Sequence, residues 1–343
     1  MGVAPVRYGA CGLSMLQTGG VSEPEVWVSV DTAAATPGSV RSADPVAAVT
    51  ARRRVRIRRS RQPVIGALDG GGAIFQRRLR DVLIGSTVLA APAIGVNLWT
   101  TVVAFERFDP DEQLIPDAAG AGQGDLAAWL SIVLVGAVTA LVGHFVAQIL
   151  LGERFGTPVT LRRALVHTLR RSWAVLVAWL IGHCWVPLFA FAVVGAENDD
   201  LGGLIFLHGL ISWFTTTVML FVVPAMVGER LGPFAAVKRS WRLTRRRFGH
   251  CFWFVLLATF LAGAVLLGFA SLAPLLEATE FIGFGGAVWL VQGILLQVAV
   301  LLVVPLIALG TAQLYVEVRL DAEGLDLMID ADAAFGPART GTA

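Results

Sequence analysis

Between Val82 and Leu309 the chain carries six long apolar stretches, and the arginines between them fall on alternate connections. A helix needs roughly 20 apolar residues to cross the hydrocarbon of a bilayer. Six segments meet that length: Val82–Phe105, Leu126–Leu151, Ser172–Val194, Leu204–Val227, Cys251–Leu276 and Phe281–Leu309. Backbone polar groups cannot stay unpaired in lipid, so the expected fold is all-α, a polytopic helical bundle. Composition agrees: 56% of the residues are hydrophobic and 15% charged, against about 25% charged in soluble domains.

The connections set an orientation. Arg77, Arg78 and Arg80 precede the first stretch, behind seven arginines between Arg52 and Arg61. Arg154, Arg162, Arg163, Arg170 and Arg171 separate the second from the third. Arg230, Lys238, Arg239, Arg242, Arg245, Arg246 and Arg247 separate the fourth from the fifth. The other connections hold Arg107 alone, beside Asp109, Asp111, Glu112, Asp117, Glu197, Asp199, Asp200, Glu277 and Glu280. The positive-inside rule then predicts a multi-pass protein of the inner or plasma membrane with both termini cytoplasmic.

Three regions are expected: a disordered basic tail over 1–62, a membrane domain over 63–320 and a cytoplasmic tail over 321–343. The first 25 residues lack a charged start followed by an apolar run, so no signal peptide is expected. Met15 is an alternative start. The run Arg52–Arg61 suits anionic lipid better than nucleic acid, since no aromatic-interleaved binding module accompanies it.

An internal repeat is visible. Gly152-Glu153-Arg154-Phe155-Gly156 recurs 76 residues later as Gly228-Glu229-Arg230-Leu231-Gly232. Each precedes a short basic segment with helical periodicity. In the later copy Phe234, Val237, Trp241 and Phe248 share one face, and Lys238, Arg239, Arg242, Arg245 and Arg246 share the other. In the earlier copy Leu161, Ala164, Leu165 and Leu169 oppose Arg162, Arg163, Arg170 and Arg171. Such helices lie in the membrane interface, which makes Arg162, Arg163, Arg170, Arg171, Lys238, Arg239, Trp241, Arg242, Arg245, Arg246 and Arg247 the candidate contacts for anionic lipid or another membrane protein. A weaker copy with Leu68, Phe75 and Leu79 precedes the first stretch. Its Gly70-Gly71-Gly72 costs about 1 kcal/mol per glycine relative to alanine and argues against a helix there. Pro224 and Pro305 each follow a Val-Val pair and predict kinks.

The segment Pro224–Phe248, with Ile65-Gly66-Ala67-Leu68-Asp69-Gly70-Gly71 and Leu314-Tyr315-Val316-Glu317-Val318-Arg319 followed by Glu323-Gly324-Leu325-Asp326-Leu327, resembles a family of bacterial membrane proteins. That family is similar to the membrane domain of glycerophosphoryl diester phosphodiesterase. The resemblance covers about residues 63–330. It implies a membrane domain separate from the enzyme's soluble catalytic barrel, and the chain has no soluble stretch long enough for such a barrel.

Polar residues within the apolar stretches mark where chemistry would sit. His144 and His183 lie about 11 and 16 Å from the inner ends of their helices at 1.5 Å per residue. With Gln148, Gln292 and Gln297 they form the candidate intramembrane site, as a proton or metal centre or as interhelical hydrogen bonds. No carboxylate partner, catalytic motif, metal-ligand spacing or cofactor fingerprint accompanies them. The sequence predicts a membrane component without catalysis of its own, a scaffold or envelope-maintenance protein with an arginine-rich face. No cofactor and no nucleic acid are expected. A small transporter or lipid-handling protein is the alternative, and an intramembrane enzyme at His144 and His183 a weaker one.

Overall fold

The computed structural model describes residues 62–106, 123–186, 188–189, 201–284 and 287–325. Regular structure among them is helical: α1 (Pro63–Arg77), α2 (Leu79–Glu106), α3 (Gln123–Arg154), α4 (Leu161–Arg170), α5 (Ser172–His183), α6 (Leu201–Met219), α7 (Val222–Gly228), α8 (Pro233–Arg246), α9 (Phe248–Ala278) and α10 (Val288–Glu323). The N-terminal tail with its Arg52–Arg61 run and the segment past 325 lie outside the described residues.

Five stretches are long and apolar enough to cross a membrane: Leu79–Thr100, Val133–Arg154, Phe206–Gly228, Phe248–Ala278 and Val288–Glu323. The expected third span does not qualify by itself. It counts only if α4 and α5 are taken together across a 63° bend. By itself α5, Ser172–His183, has 12 residues, fewer than the roughly 20 that cross the hydrocarbon. Of the expected Ser172–Val194 helix, α5 accounts for Ser172–His183, and 190–194 lie outside the described residues.

The expected sixth span, Phe281–Leu309, is displaced along the chain. Phe281 to Phe284 are not helical; α10 begins at Val288 and runs to Glu323, where Gly324 takes a left-handed φ of 61° and ends it as glycine caps do. The fourth span is broken rather than bent: α6 stops at Met219 and α7 restarts at Val222. Pro224 then sits in the first turn of α7, where its missing N–H leaves no helical bond unmade. Pro305 lies inside α10 without ending it.

The expectation that the three glycines would disfavour a helix before the first span is overturned. α1 forms straight through Gly70-Gly71-Gly72, because Gly70 and Gly71 lie against Gln313 and Gly310 of α10. A Cβ placed on Gly71 would lie 2.6 Å from the backbone nitrogen of Gly310. Close backbone approach outweighs the intrinsic helix cost of glycine.

α10 packs against α1, α2, α3 and α9, while α3 meets α2, α4, α5 and α7. The core between them holds Ile74, Phe145, Val146, Leu150, Phe221, Met226, Phe254, Leu314 and Tyr315, each at most 1% exposed. It sits at the end of the helices where the basic segments gather. α9 is the opposite case: only 11% of its most apolar window is buried, the least of the five candidate spans.

Candidate functional site

The basic end of the helices divides into three environments, each built by a short helix and the turn before it.

The first is an ion-paired clasp. Arg239 on α8 donates from Nε to Glu229 Oε1 at 2.9 Å, and from both Nη atoms to the Glu323 carboxylate at 2.5 and 2.6 Å. Arg319 Nε donates to Glu323 Oε2 at 3.1 Å, and the Tyr315 hydroxyl to Glu229 Oε1 at 2.5 Å. The Arg319 guanidinium also lies 5.6 Å from the Tyr315 ring centre. Two arginines face two glutamates, so the cluster is neutral, and the four charged side chains are 12–20% exposed. Burial opposes the charge on Arg239, but the bonds from Glu323 and Glu229 outweigh it and raise the guanidinium above its ordinary value. Arg239 therefore closes the fold rather than facing lipid. Arg247 lies 3.9 Å from Asp321, and Arg246 reaches the Ala322 carbonyl at 3.4 Å. A smaller pairing fixes α1 to α3: Arg78 Nε donates to Glu153 Oε1 at 2.7 Å, and this bond chiefly raises Arg78.

The second environment is the outward side of α8. Two faces were expected and three are found. Ala236, Ser240, Leu243 and Thr244 are buried, with Ser240 Oγ donating to the Val218 carbonyl and accepting from the Phe221 N–H. Next around the helix, Phe234 and Trp241 are 73% and 48% exposed, with Phe248 just beyond its end at 41%. Lys238, Arg242 and Arg245 form the third stripe, also exposed. Pro233 in the first turn and the extended Gly232 before it start the helix.

The third is α4. Ala164 and Thr168 are buried against α3, and Leu169 is exposed with Arg162, Arg163 and Arg170. Thr168 joins the intramembrane polar residues. Gln148 Nε2 donates to Thr168 Oγ1 at 2.9 Å, and His144 Nδ1 lies 3.1 Å from the same hydroxyl and 3.1 Å from Gln148 Nε2. His144 is fully buried and its ring stacks on His167 at 5.6 Å.

Of the candidate intramembrane residues, His144 and Gln148 thus come together, with Thr168 and His167 as unforeseen members. His183 is elsewhere: its Nδ1 lies 3.2 Å from the Trp179 carbonyl and its ring stacks on Trp179. Gln297 accepts from Asn97 Nδ2 at 3.5 Å and, with Ser86 and Thr139, lines a cavity of about 30 Å³ among α2, α3 and α10. Gln292 is half-buried on α10. No three His, Cys, Asp or Glu among the described residues cluster to hold a metal.

Sequence reasoning missed the clasp as a unit, although its members were in view: Glu229 belongs to the repeated Gly-Glu-Arg turn, and Tyr315, Arg319 and Glu323 to the closing motif. Residues 174–328 match the family model for the membrane domain of glycerophosphoryl diester phosphodiesterase. That match spans α5 to α10 and contains every residue of the clasp. No curated protein matches the chain, and no solved structure does. The chain is a multi-pass membrane protein similar to that membrane domain, and no catalytic domain is indicated.

Proposed function

We propose that this protein is a non-catalytic platform of the inner or plasma membrane, with both termini cytoplasmic and its basic end resting on anionic lipid as a scaffold or assembly surface. The observation that carries this reading is the three-striped α8. Its buried stripe anchors it to the bundle, its aromatic stripe is exposed, and its basic stripe stands beside the aromatics. An aromatic band at headgroup depth flanked by cations is how interfacial helices bind anionic membranes. Each such charge contributes about 1 kcal/mol near an anionic surface.

Transport is the second reading, since a cavity with Ser86, Asn97, Thr139 and Gln297 in a mostly apolar lining does lie among α2, α3 and α10. Its volume of about 30 Å³ is that of one water molecule, far below the roughly 300–1,000 Å³ of small-molecule sites. The platform reading is therefore preferred.

A photoreactive residue placed at Trp241 in the full-length protein tests it in intact membranes. The expected products on illumination are phospholipid adducts or one discrete membrane-protein adduct, lost when Lys238, Arg242 and Arg245 are changed to Gln. Adducts unchanged by that triple substitution would contradict a charge-dependent surface.

A further inference from the structure

Most of the basic end is explained by the clasp and by α8, but one group of cations is not. Arg163, His167 and Arg171 are spaced by four residues, which puts them on one side of α4. The helical path continues through Arg171, whose N–H bonds to the His167 carbonyl at 3.1 Å. Arg230 joins them from the turn between α7 and α8. It has a φ of 54°, a left-handed backbone that side-chain-bearing residues rarely adopt. Its neighbour Glu229 is bound into the clasp by Arg239 and Tyr315. Burial first, then the charges of Arg171, Arg163 and Arg230, hold the His167 imidazole below its ordinary range. All three guanidiniums thus act on one ring.

Among the described residues, none of these three arginines makes an ion pair or hydrogen bond to an acid, whereas Arg78, Arg239 and Arg319 all do. Cations near the end of a helix complement its dipole. That accounts for Arg170 and Arg171, but not for Arg163 one turn from the start or Arg230 on another element. Beneath them lies the His144 ring, stacked within 9° of parallel on His167. Gln148 donates toward His144 Nδ1, which leaves the proton on Nε2, a buried atom without a hydrogen-bond partner. The polar trio of His144, Gln148 and Thr168 therefore fixes the α4 face from below and brings no compensating negative charge.

We infer that Arg163, His167, Arg171 and Arg230 form a binding site for a phosphate oxyanion, either the headgroup of an anionic phospholipid or a soluble phosphate ester. Guanidinium forks match phosphate oxygens, and a shared anion removes the repulsion among three unpaired arginines. The strained Arg230 backbone aims the one cation that α4 cannot supply. This site rests on the reading that the basic end lies against an anionic leaflet, and it adds a position to that reading.

The test uses the full-length protein purified in mild detergent, with two probes: inorganic phosphate followed by calorimetry, and retention of phosphatidylglycerol against phosphatidylcholine by native mass spectrometry. Two variants probe the site, Arg163→Gln and Arg230→Gly. The second also relieves the left-handed backbone, so it removes a cation without threatening the fold. Arg80→Gln, at an exposed position on α2 outside both α4 and α8, is the control. Each site variant is expected to weaken binding about tenfold, as loss of one charged hydrogen bond does, with Arg80→Gln within about twofold. Binding of phosphatidylglycerol alone assigns the site to a lipid headgroup; binding of inorganic phosphate assigns it to a soluble ester. Wild-type protein that takes up neither probe would overturn the site, as would an Arg230→Gly variant that binds normally. A loss as large in Arg80→Gln as in Arg230→Gly would overturn the discrete site while leaving the platform reading intact.

Discussion

α4 and α8 each follow a Gly-Glu-Arg-x-Gly turn in the sequence, yet they hold their charge in opposite ways. α8 gives Arg239 to an internal network with Glu229 and Glu323, and keeps Lys238, Arg242 and Arg245 outward. α4 gives none of its arginines to an acid among the described residues, and is tied to α3 by the neutral contacts of Thr168 with Gln148 and His144. One short helix is therefore held by ion pairs and the other by a buried polar trio. Basic composition alone thus says little about where a charge is directed. What decides is whether a carboxylate from a distant part of the chain reaches the edge of the buried face.

The contrast can be broken by substitution, beginning on α8. Arg239→Ala removes one partner from two half-buried carboxylates, and should cost about 3 kcal/mol, the low end for a broken buried pair because these side chains keep some solvent. Thermal unfolding of the detergent-solubilised protein reads this directly; an unchanged midpoint would mean that the clasp contributes nothing. On the same side of the bundle, Gly71→Ala drives a methyl into the Gly310 backbone and should cost about 1–3 kcal/mol, as overpacking does. Gly72→Ala, where nothing lies within 4 Å, should be neutral or stabilising by up to about 1 kcal/mol. If both substitutions behave alike in the same melt, the close approach of α1 to α10 is wrong.

For α4 the expected effects are smaller. Thr168→Val removes the hydroxyl shared by Gln148 and His144, and should cost about 1–2 kcal/mol through the groups left unpaired. His144→Leu should cost about 0.5–2 kcal/mol and His144→Gln less, since an amide still bonds within the trio. Cellular function should survive His144→Gln at normal protein abundance, because a helix-bridging role needs no titration; loss of function at unchanged abundance would make the histidine chemical instead of structural. Arg162→Gln and Arg163→Gln should each change stability by less than about 0.5 kcal/mol, as exposed substitutions do. A large loss from either would show that α4 has an acidic partner after all.

These contrasts were only partly legible in the sequence. Five of the six expected spans overlap helices long and apolar enough to cross a membrane, because apolar length is a local property; the expected kink at Pro224 is instead a break just before it, between Met219 and Val222. Periodicity grouped Phe234 and Trp241, which are exposed on α8, but set them opposite the arginines, where the structure has them adjacent. It could not separate Arg239 from Arg242, because Arg239 lies at the border of the buried face and its partner Glu323 is 84 residues away. The pairing of His144 with His183 failed for a related reason. Depth along a helix is readable from the sequence, but the direction a residue faces depends on which helix packs there, and that helix is α4. Helix propensity misjudged Gly70-Gly71-Gly72 because the compensating contact, Gly310, lies on the last helix.

The claim on which both halves of the comparison depend is that α4 and α8 share the cytoplasmic side. Single cysteines at Thr157, Arg242 and Asn198, in a chain whose Cys11, Cys184 and Cys251 are replaced, can be probed in intact cells with a membrane-impermeant maleimide. Positions 157 and 242 should stay unlabelled until the membrane is opened, while position 198 should label at once. Labelling at 157 or 242 in intact cells would put an arginine-rich helix outside and contradict the account.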